Sequence, residues 1–118
     1  MNRGSVLVVD DDEDIRDCLT DLITEAGFPA IAVAGGADAL SFARENLVSL
    51  VLLDLYMPGL DGAALVDQFR ASASLSRIPL VVMTGAPRDQ VPARLPMLIK
   101  PFDLEAVLAM VRKYCPSA

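Results

Sequence analysis

The stretch LVLLDLYMP, from Leu50 to Pro58, decides the fold. It begins with four consecutive apolar residues and runs directly into Asp54. A short apolar run with no polar face is typical of a strand in a parallel sheet that is covered on both sides. Pro58 and the glycines after it favour a turn, so Asp54 is predicted at the carboxyl end of the strand. Ligands bind at this edge of open α/β sheets, so Asp54 is a candidate site residue, although a solvated loop aspartate fits the same pattern.

Other apolar runs of strand length also end in polar residues. Ser5–Val9 leads into Asp10 and Asp11, Ile78–Met83 into Thr84, and Met97–Ile99 into Lys100, whereas a fifth run, Pro29–Val33, has no such ending. The carboxyl ends of parallel strands gather at one edge of a sheet. We therefore expect the side chains of Asp10, Asp11, Asp54, Thr84 and Lys100 to lie close together, although each taken alone also fits a local cap or a solvated residue.

Amphipathic segments separate these runs. Apolar residues recur at helical spacing in four segments, which start at about Asp12, Ala37, Asp61 and Asp103. Alternating strands and helices, with right-handed crossovers, predict an α/β fold with a doubly wound, five-stranded parallel sheet and helices on both faces. Prolines interrupt Ala86–Pro96, so a helix in this segment, the fourth in chain order, is expected to be short or irregular.

Composition limits the possible functions. The 118 residues are predicted to form one domain, residues 1–118, and the mean hydropathy of +0.44 suits a sheet buried on both faces. The net charge of −6 argues against direct nucleic-acid binding. No apolar stretch is long enough to span a membrane and no signal peptide is evident, so a cytoplasmic location is expected. The two cysteines form no metal-binding pair, and the absence of histidine directs any metal site to oxygen ligands.

The residues expected at the sheet edge have complementary chemistry. Carboxylates crowded together repel one another by about 4 kcal/mol per pair at roughly 4 Å and an effective dielectric constant near 20, so they need a cation. Two or three carboxylates are typical of an Mg²⁺ site that completes its coordination with water and phosphate oxygens. Lys100 can neutralise a phosphoryl oxygen, and Thr84 can donate a hydroxyl proton to another oxygen. The set predicts phosphoryl transfer onto Asp54 as nucleophile.

The ordered motifs VLVVDDDEDIR, LVLLDLYMPGLDG, VVMTG and IKPFD resemble those of response-regulator receiver domains, the phosphorylatable modules of two-component signalling. The resemblance extends from Val6 to about Tyr114. It implies a flavodoxin-like sheet of order 2-1-3-4-5. It also implies a signalling domain that is not an enzyme in its own right and that receives its phosphoryl group from a phosphohistidine on a sensor histidine kinase or a histidine phosphotransfer protein.

The resemblance also assigns roles to residues. Asp54 would be the phosphoacceptor; Asp11 and Asp54 would bind Mg²⁺ directly, Asp10 through water, and Tyr56 through its backbone carbonyl. Thr84 would be the switch hydroxyl, Lys100 the characteristic lysine, and the Lys100–Pro101 peptide would be cis. Output would pass to a downstream effector protein.

Two features depart from the family pattern. Met97 stands where an aromatic residue is usual, and the segment from Thr84 to Lys100 is shorter than is common. These departures put the usual relay in doubt, and we expect a monomer or weak dimer. They also leave open a pseudo-receiver, a docking module that is never phosphorylated. A phosphatase of the haloacid dehalogenase type is a further alternative, because Asp10 and Asp12 form a D-x-D arrangement.

Overall fold

A computed structural model of the chain describes residues 4–57, 60–84, 95–99 and 103–115. Seven strands lie within these residues, in chain order β1 (Ser5–Val9), β2 (Ala30–Val33), β3 (Val48–Asp54), β4 (Tyr56–Met57), β5 (Leu60–Asp61), β6 (Leu80–Thr84) and β7 (Met97–Ile99). Five of them form a parallel sheet of order β2-β1-β3-β6-β7. Counted among themselves, these five strands have the order 2-1-3-4-5, which confirms the predicted fold.

Among the described residues, two helices cover each face of the sheet. The helices that the described residues contain are α1 (Glu13–Glu25), α2 (Gly36–Glu45), α3 (Gly62–Ala71) and α4 (Leu104–Tyr114). One buried apolar cluster joins the sheet to α1 and α4, and the other joins it to α2 and α3. Because successive residues of a strand point to opposite faces, the uninterrupted apolar runs of β1 and β3 supply both clusters. None of the helices described has the length and apolar character to cross a membrane.

Helix α1 has well-defined ends. Asp12 is the N-cap, and its carboxylate accepts hydrogen bonds from the amides of Asp14 and Ile15. At the other end, Gly27 has φ of 99°, a conformation that glycine adopts without steric cost. The Gly27 amide donates to the Thr24 carbonyl and the Phe28 amide to the Ile23 carbonyl, which is the Schellman pattern. These ends fix where the chain leaves β1 and where it returns to β2.

The structure differs from the sequence predictions around β3 and β6. Strands β4 and β5 form a small antiparallel pair of their own between β3 and α3, where the sequence predicted only a turn. Strand β6 begins at Leu80, two residues later than predicted, and includes Thr84. Pro79 has no amide to donate, although its carbonyl accepts from Val51, so regular pairing starts after it. The prediction of a short or irregular helix in Ala86–Pro96 falls, except for its last two residues, outside the described residues.

Candidate functional site

The register of the sheet brings two aspartates together. Val9 on β1 pairs with Leu53 on β3. The next residue in the chain is an aspartate in both cases, Asp10 directly after β1 and Asp54 at the end of β3. Neighbouring parallel strands lie about 4.8 Å apart, so the two residues leave the same edge of the sheet side by side.

Three carboxylates converge at this edge. One oxygen atom from each of Asp10, Asp11 and Asp54 lies within 4.8 Å of the others. Asp10 and Asp54 are buried, with 0% and 4% of their surface exposed, whereas Asp11 is exposed. Hard oxygen donors with a combined negative charge are the ligands that Mg²⁺ prefers, so this donor set fits a magnesium site. The exposed carboxylate of Asp11 marks the side on which the cluster meets solvent.

Asp10 is held through its backbone and its side chain. Its amide donates to the Val33 carbonyl at 3.2 Å, which continues the pairing with β2. Its carbonyl accepts from the Nη1 atom of Arg16 at 2.9 Å, and its Oδ1 atom accepts from the amide of Asp12 at 2.9 Å. A buried residue must have its polar groups paired, and these bonds fix Asp10 against both β2 and the first turn of α1.

The loop that carries Asp11 is consequently short and braced. It connects β1 to α1 through Asp10, Asp11 and Asp12 alone. Asp12 both donates its amide to Asp10 and caps α1 with its carboxylate. The exposed carboxylate of Asp11 therefore projects from a backbone that is fixed on either side. Neither the Asp12 amide nor Arg16 was predicted to take part in the site. A signal for Arg16 was available, because a cation near a helix N-terminus opposes the helix dipole and so suggests a specific partner.

The remaining predicted site residues are described to different extents. Thr84 is the last residue of β6 and is 1% exposed, and its strand neighbour Met83 pairs with Asp54. Thr84 therefore lies at the same edge of the sheet as the acidic cluster. Tyr56 lies in β4, two residues after Asp54. Lys100 and the Lys100–Pro101 peptide lie outside the described residues, although the residue before them, Ile99, pairs with Thr84.

Comparison with known families identifies the domain. The family described as "Response regulator receiver domain" matches residues 6–112. The chain belongs to this family. The predicted resemblance is therefore confirmed, and the domain is a signalling module rather than an enzyme of the haloacid dehalogenase type. The cluster of Asp10, Asp11 and Asp54 is consistent with the phosphoacceptor site of a receiver domain.

Individual relatives support the assignment. The chain is 35% identical over 117 residues to the DNA-binding response regulator MtrA of Mycobacterium tuberculosis, a match that covers 93% of this chain and 50% of MtrA. It thus spans about half the length of this curated relative. A response regulator receiver protein from Pseudomonas putida has a TM-score of 0.87 at 26% identity, and the match covers 96% of this chain and 98% of the Pseudomonas chain.

A further solved structure agrees in fold. The chemotaxis protein CheY4 of Vibrio cholerae has a TM-score of 0.87 at 24% identity, and the match covers 96% of this chain and 99% of CheY4. The backbone of the receiver domain is therefore shared with a protein to which the sequence similarity is low. At that level of identity the likeness concerns the fold alone.

Proposed function

We propose that this domain accepts a phosphoryl group on Asp54, with Mg²⁺ held by Asp10, Asp11 and Asp54. The observation that carries the proposal is the cluster of three carboxylates with oxygen atoms within 4.8 Å of one another, at the carboxyl edge of a receiver sheet. Mg²⁺, when bound, neutralises the carboxylates and the incoming phosphoryl oxygens. Tyr56 would add its backbone carbonyl to the ligand set, as the family resemblance implies.

The carboxylate of Asp54 would act as the nucleophile. One oxygen of Asp54 forms a bond to phosphorus while the bond from phosphorus to a donor histidine nitrogen breaks, and that nitrogen keeps the electron pair. An ionised carboxylate has no proton to lose, so the site needs no general base. The Thr84 hydroxyl would donate to a phosphoryl oxygen, and the Lys100 ammonium would neutralise another. Both roles are predictions from the sequence, and the placement of Thr84 at the end of β6 supports its part.

The proposed partners follow from the same chemistry. A sensor histidine kinase or a histidine phosphotransfer protein would supply the phosphoryl group, as the family resemblance implies; the lack of histidine in this chain is consistent with an external donor. A downstream effector protein would receive the output. MtrA is described as DNA-binding, but the net charge of −6 argues against direct nucleic-acid contact by this chain. We further propose a single receiver domain over residues 1–118, a cytoplasmic location, and a monomer or weak dimer.

Intact-mass measurement tests the proposal. The chain is incubated with a small phosphodonor, such as acetyl phosphate, in the presence of Mg²⁺. We expect the mass of one phosphoryl group to be added, to be absent without Mg²⁺, and to be lost in Asp54→Asn. Asp67→Asn is the matched control, because Asp67 is exposed on α3 and its substitution changes the net charge equally. A chain that never gains mass would instead be a docking module.

A further inference from the structure

Arg16 has an unusual place for an arginine. It lies in the first turns of α1, where a positive charge is disfavoured by the helix dipole. It is also the one basic residue of a helix that carries Glu13, Asp14, Asp17, Asp21 and Glu25. Its side chain is half-buried, and its guanidinium turns back to donate to the Asp10 carbonyl.

The bond from Arg16 completes a bracing of the β1–α1 connection. Arg16 Nη1 reaches the Asp10 carbonyl at 2.9 Å, and the Asp12 amide reaches the Asp10 carboxylate at 2.9 Å. These two bonds tie the residues on either side of Asp11, one from the helix and one within the loop. The carbonyl that Arg16 holds belongs to the peptide group that joins Asp10 to Asp11. Its orientation therefore determines where the chain places the exposed carboxylate of Asp11.

We propose that Arg16 is a positioning residue for the acidic cluster: its guanidinium fixes the Asp10–Asp11 peptide so that the three carboxylates share one cation. This inference rests on the proposed function, because it assumes that the cluster binds Mg²⁺. Arg16 itself carries no ligand atom for a cation. It acts on the site through the backbone, as groups outside the coordination sphere do when they orient the ligands of a metal.

Whether Mg²⁺ binding weakens or tightens when Arg16 is removed distinguishes a positioning role from a purely electrostatic one. A positive charge near the cluster repels Mg²⁺, so a purely electrostatic role predicts that removing Arg16 tightens binding. A positioning role predicts the opposite, because a loosened Asp11 no longer meets Asp10 and Asp54 in the right geometry. Groups outside the coordination sphere typically change metal affinity by about 10-fold to 100-fold. We expect a rise in the Mg²⁺ dissociation constant on the order of 10-fold, the lower end of that range, since the carboxylates remain.

Calorimetric titration with Mg²⁺ alone measures the effect. The test variant is Arg16→Met, because methionine has a helix propensity close to that of arginine and no hydrogen-bond donor. Arg16→Lys is the conservative variant, since it keeps a cation that can donate to the Asp10 carbonyl, and we expect it to recover most of the affinity. Arg77→Met is the control for net charge, because Arg77 is exposed in the connector after α3. That control should bind Mg²⁺ as the unsubstituted chain does.

Amide hydrogen exchange without Mg²⁺ gives a second measurement. In Arg16→Met, the Asp12 amide should exchange faster while the amides of Leu19 and Ile23, further along α1, keep their protection. Faster exchange along the whole helix, or unchanged or tighter Mg²⁺ binding in Arg16→Met, would overturn the positioning role and leave the proposed function intact. If the unsubstituted chain bound no Mg²⁺, both proposals would fall together.

Discussion

Strands β1 and β3 share one design and end differently. Each carries four consecutive buried apolar residues, Val6–Val9 and Leu50–Leu53, directly before an aspartate at the carboxyl edge of the sheet. After β1 the chain enters α1 within three residues, and Asp10 is tied by its amide, carbonyl and carboxylate. After β3 the chain continues through Leu55, whose amide donates to the Met83 carbonyl, and then through the antiparallel pair of β4 and β5 before α3 begins.

This difference shows that the segment after each strand determines how its aspartate is held and what it can do. The end of β1 is a braced support that holds Asp10 inside the protein and presents Asp11 to solvent. The end of β3 places Asp54 beside that support and next to β6, with Thr84 one residue beyond its paired neighbour. The proposed function needs both kinds of residue, a fixed frame for the cation and a carboxylate that can be phosphorylated. Substitutions along the two strands can separate these tasks.

The largest expected effect on stability is in the middle of the two strands, where we expect substitutions on β1 and β3 to cost the same. Leu7 on β1 and Leu52 on β3 are both 0% exposed and lie in the two core clusters. Leu7→Ala and Leu52→Ala should each lower the free energy of unfolding by about 2–5 kcal/mol, as buried Leu-to-Ala substitutions usually do. Urea denaturation measures this. As a control, Ile31→Ala on the edge strand β2, where Ile31 is 40% exposed, should cost much less. A loss at only one of the two leucines would contradict the equivalence.

At the strand ends, a substitution should raise the free energy of unfolding instead of lowering it. Asp54→Asn removes one charge from three carboxylates whose oxygens lie within 4.8 Å, a repulsion of about 1–3 kcal/mol per pair for effective dielectric constants between 80 and 20. We therefore expect the variant to be more stable than the unsubstituted chain when Mg²⁺ is absent. Ligand binding stabilises a protein by about 2.7 kcal/mol at 100 times the dissociation constant, so saturating Mg²⁺ should reverse the order.

Thermal denaturation with EDTA and then with Mg²⁺ tests this reversal. Asp67→Asn on α3 is the control, and its stability should respond to Mg²⁺ as that of the unsubstituted chain does. If Asp54→Asn were less stable in EDTA, the carboxylate of Asp54 would be contributing more through its own contacts than it costs by repulsion.

The sequence predicted more about the ends of the strands than about the segments that connect them. Uninterrupted apolar runs ending in Asp10, Asp54 and Thr84 sufficed to predict the parallel sheet and the gathering of acids, because both follow from burial and chain direction. The order of the strands came from the family resemblance, since periodicity does not say which strands are neighbours. The bond from Arg16 to the Asp10 carbonyl was missed, because a cation near a helix N-terminus suggests that it has a partner but does not say which backbone carbonyl that partner is.

The β4–β5 pair was missed for a related reason. Each of these strands has only two residues, and two residues are too few to establish an alternating pattern. The difference in exposure between adjacent Asp10 and Asp11 was equally hidden, because it depends on how the loop leaves the sheet. The roles of Tyr56, Thr84 and Lys100 stay predictions, as does the effect of Met97.

A smaller effect is expected at the helix that braces β1. Asp12→Ala removes the N-cap of α1, which accepts from two amides, and should lower the free energy of unfolding by about 1 kcal/mol, a usual cost for such a cap. Asp12→Asn keeps an oxygen acceptor and should cost little. Asp103→Ala at α4 is the comparison, because Asp103 caps a helix that does not follow β1 in the chain, by accepting from the Glu105 amide. Urea denaturation should give similar losses for the two alanine variants, and a much larger loss at Asp12 would show that the cap also supports the acidic cluster.

The smallest expected difference is between Asp10→Asn and Asp54→Asn, because two effects oppose each other at Asp10. Removing the charge relieves repulsion within the cluster, as it does at Asp54. It also replaces a charged acceptor of the Asp12 amide by a neutral one, and hydrogen bonds to charged groups are stronger by about 1 kcal/mol. The net stabilisation should therefore be about 1 kcal/mol smaller than that of Asp54→Asn. Amide exchange shows whether the Asp10 carboxylate holds the Asp12 amide. That amide should exchange faster in Asp10→Asn and keep its rate in Asp54→Asn. Equal exchange rates in the two variants would mean that the frame at the end of β1 does not depend on the Asp10 carboxylate.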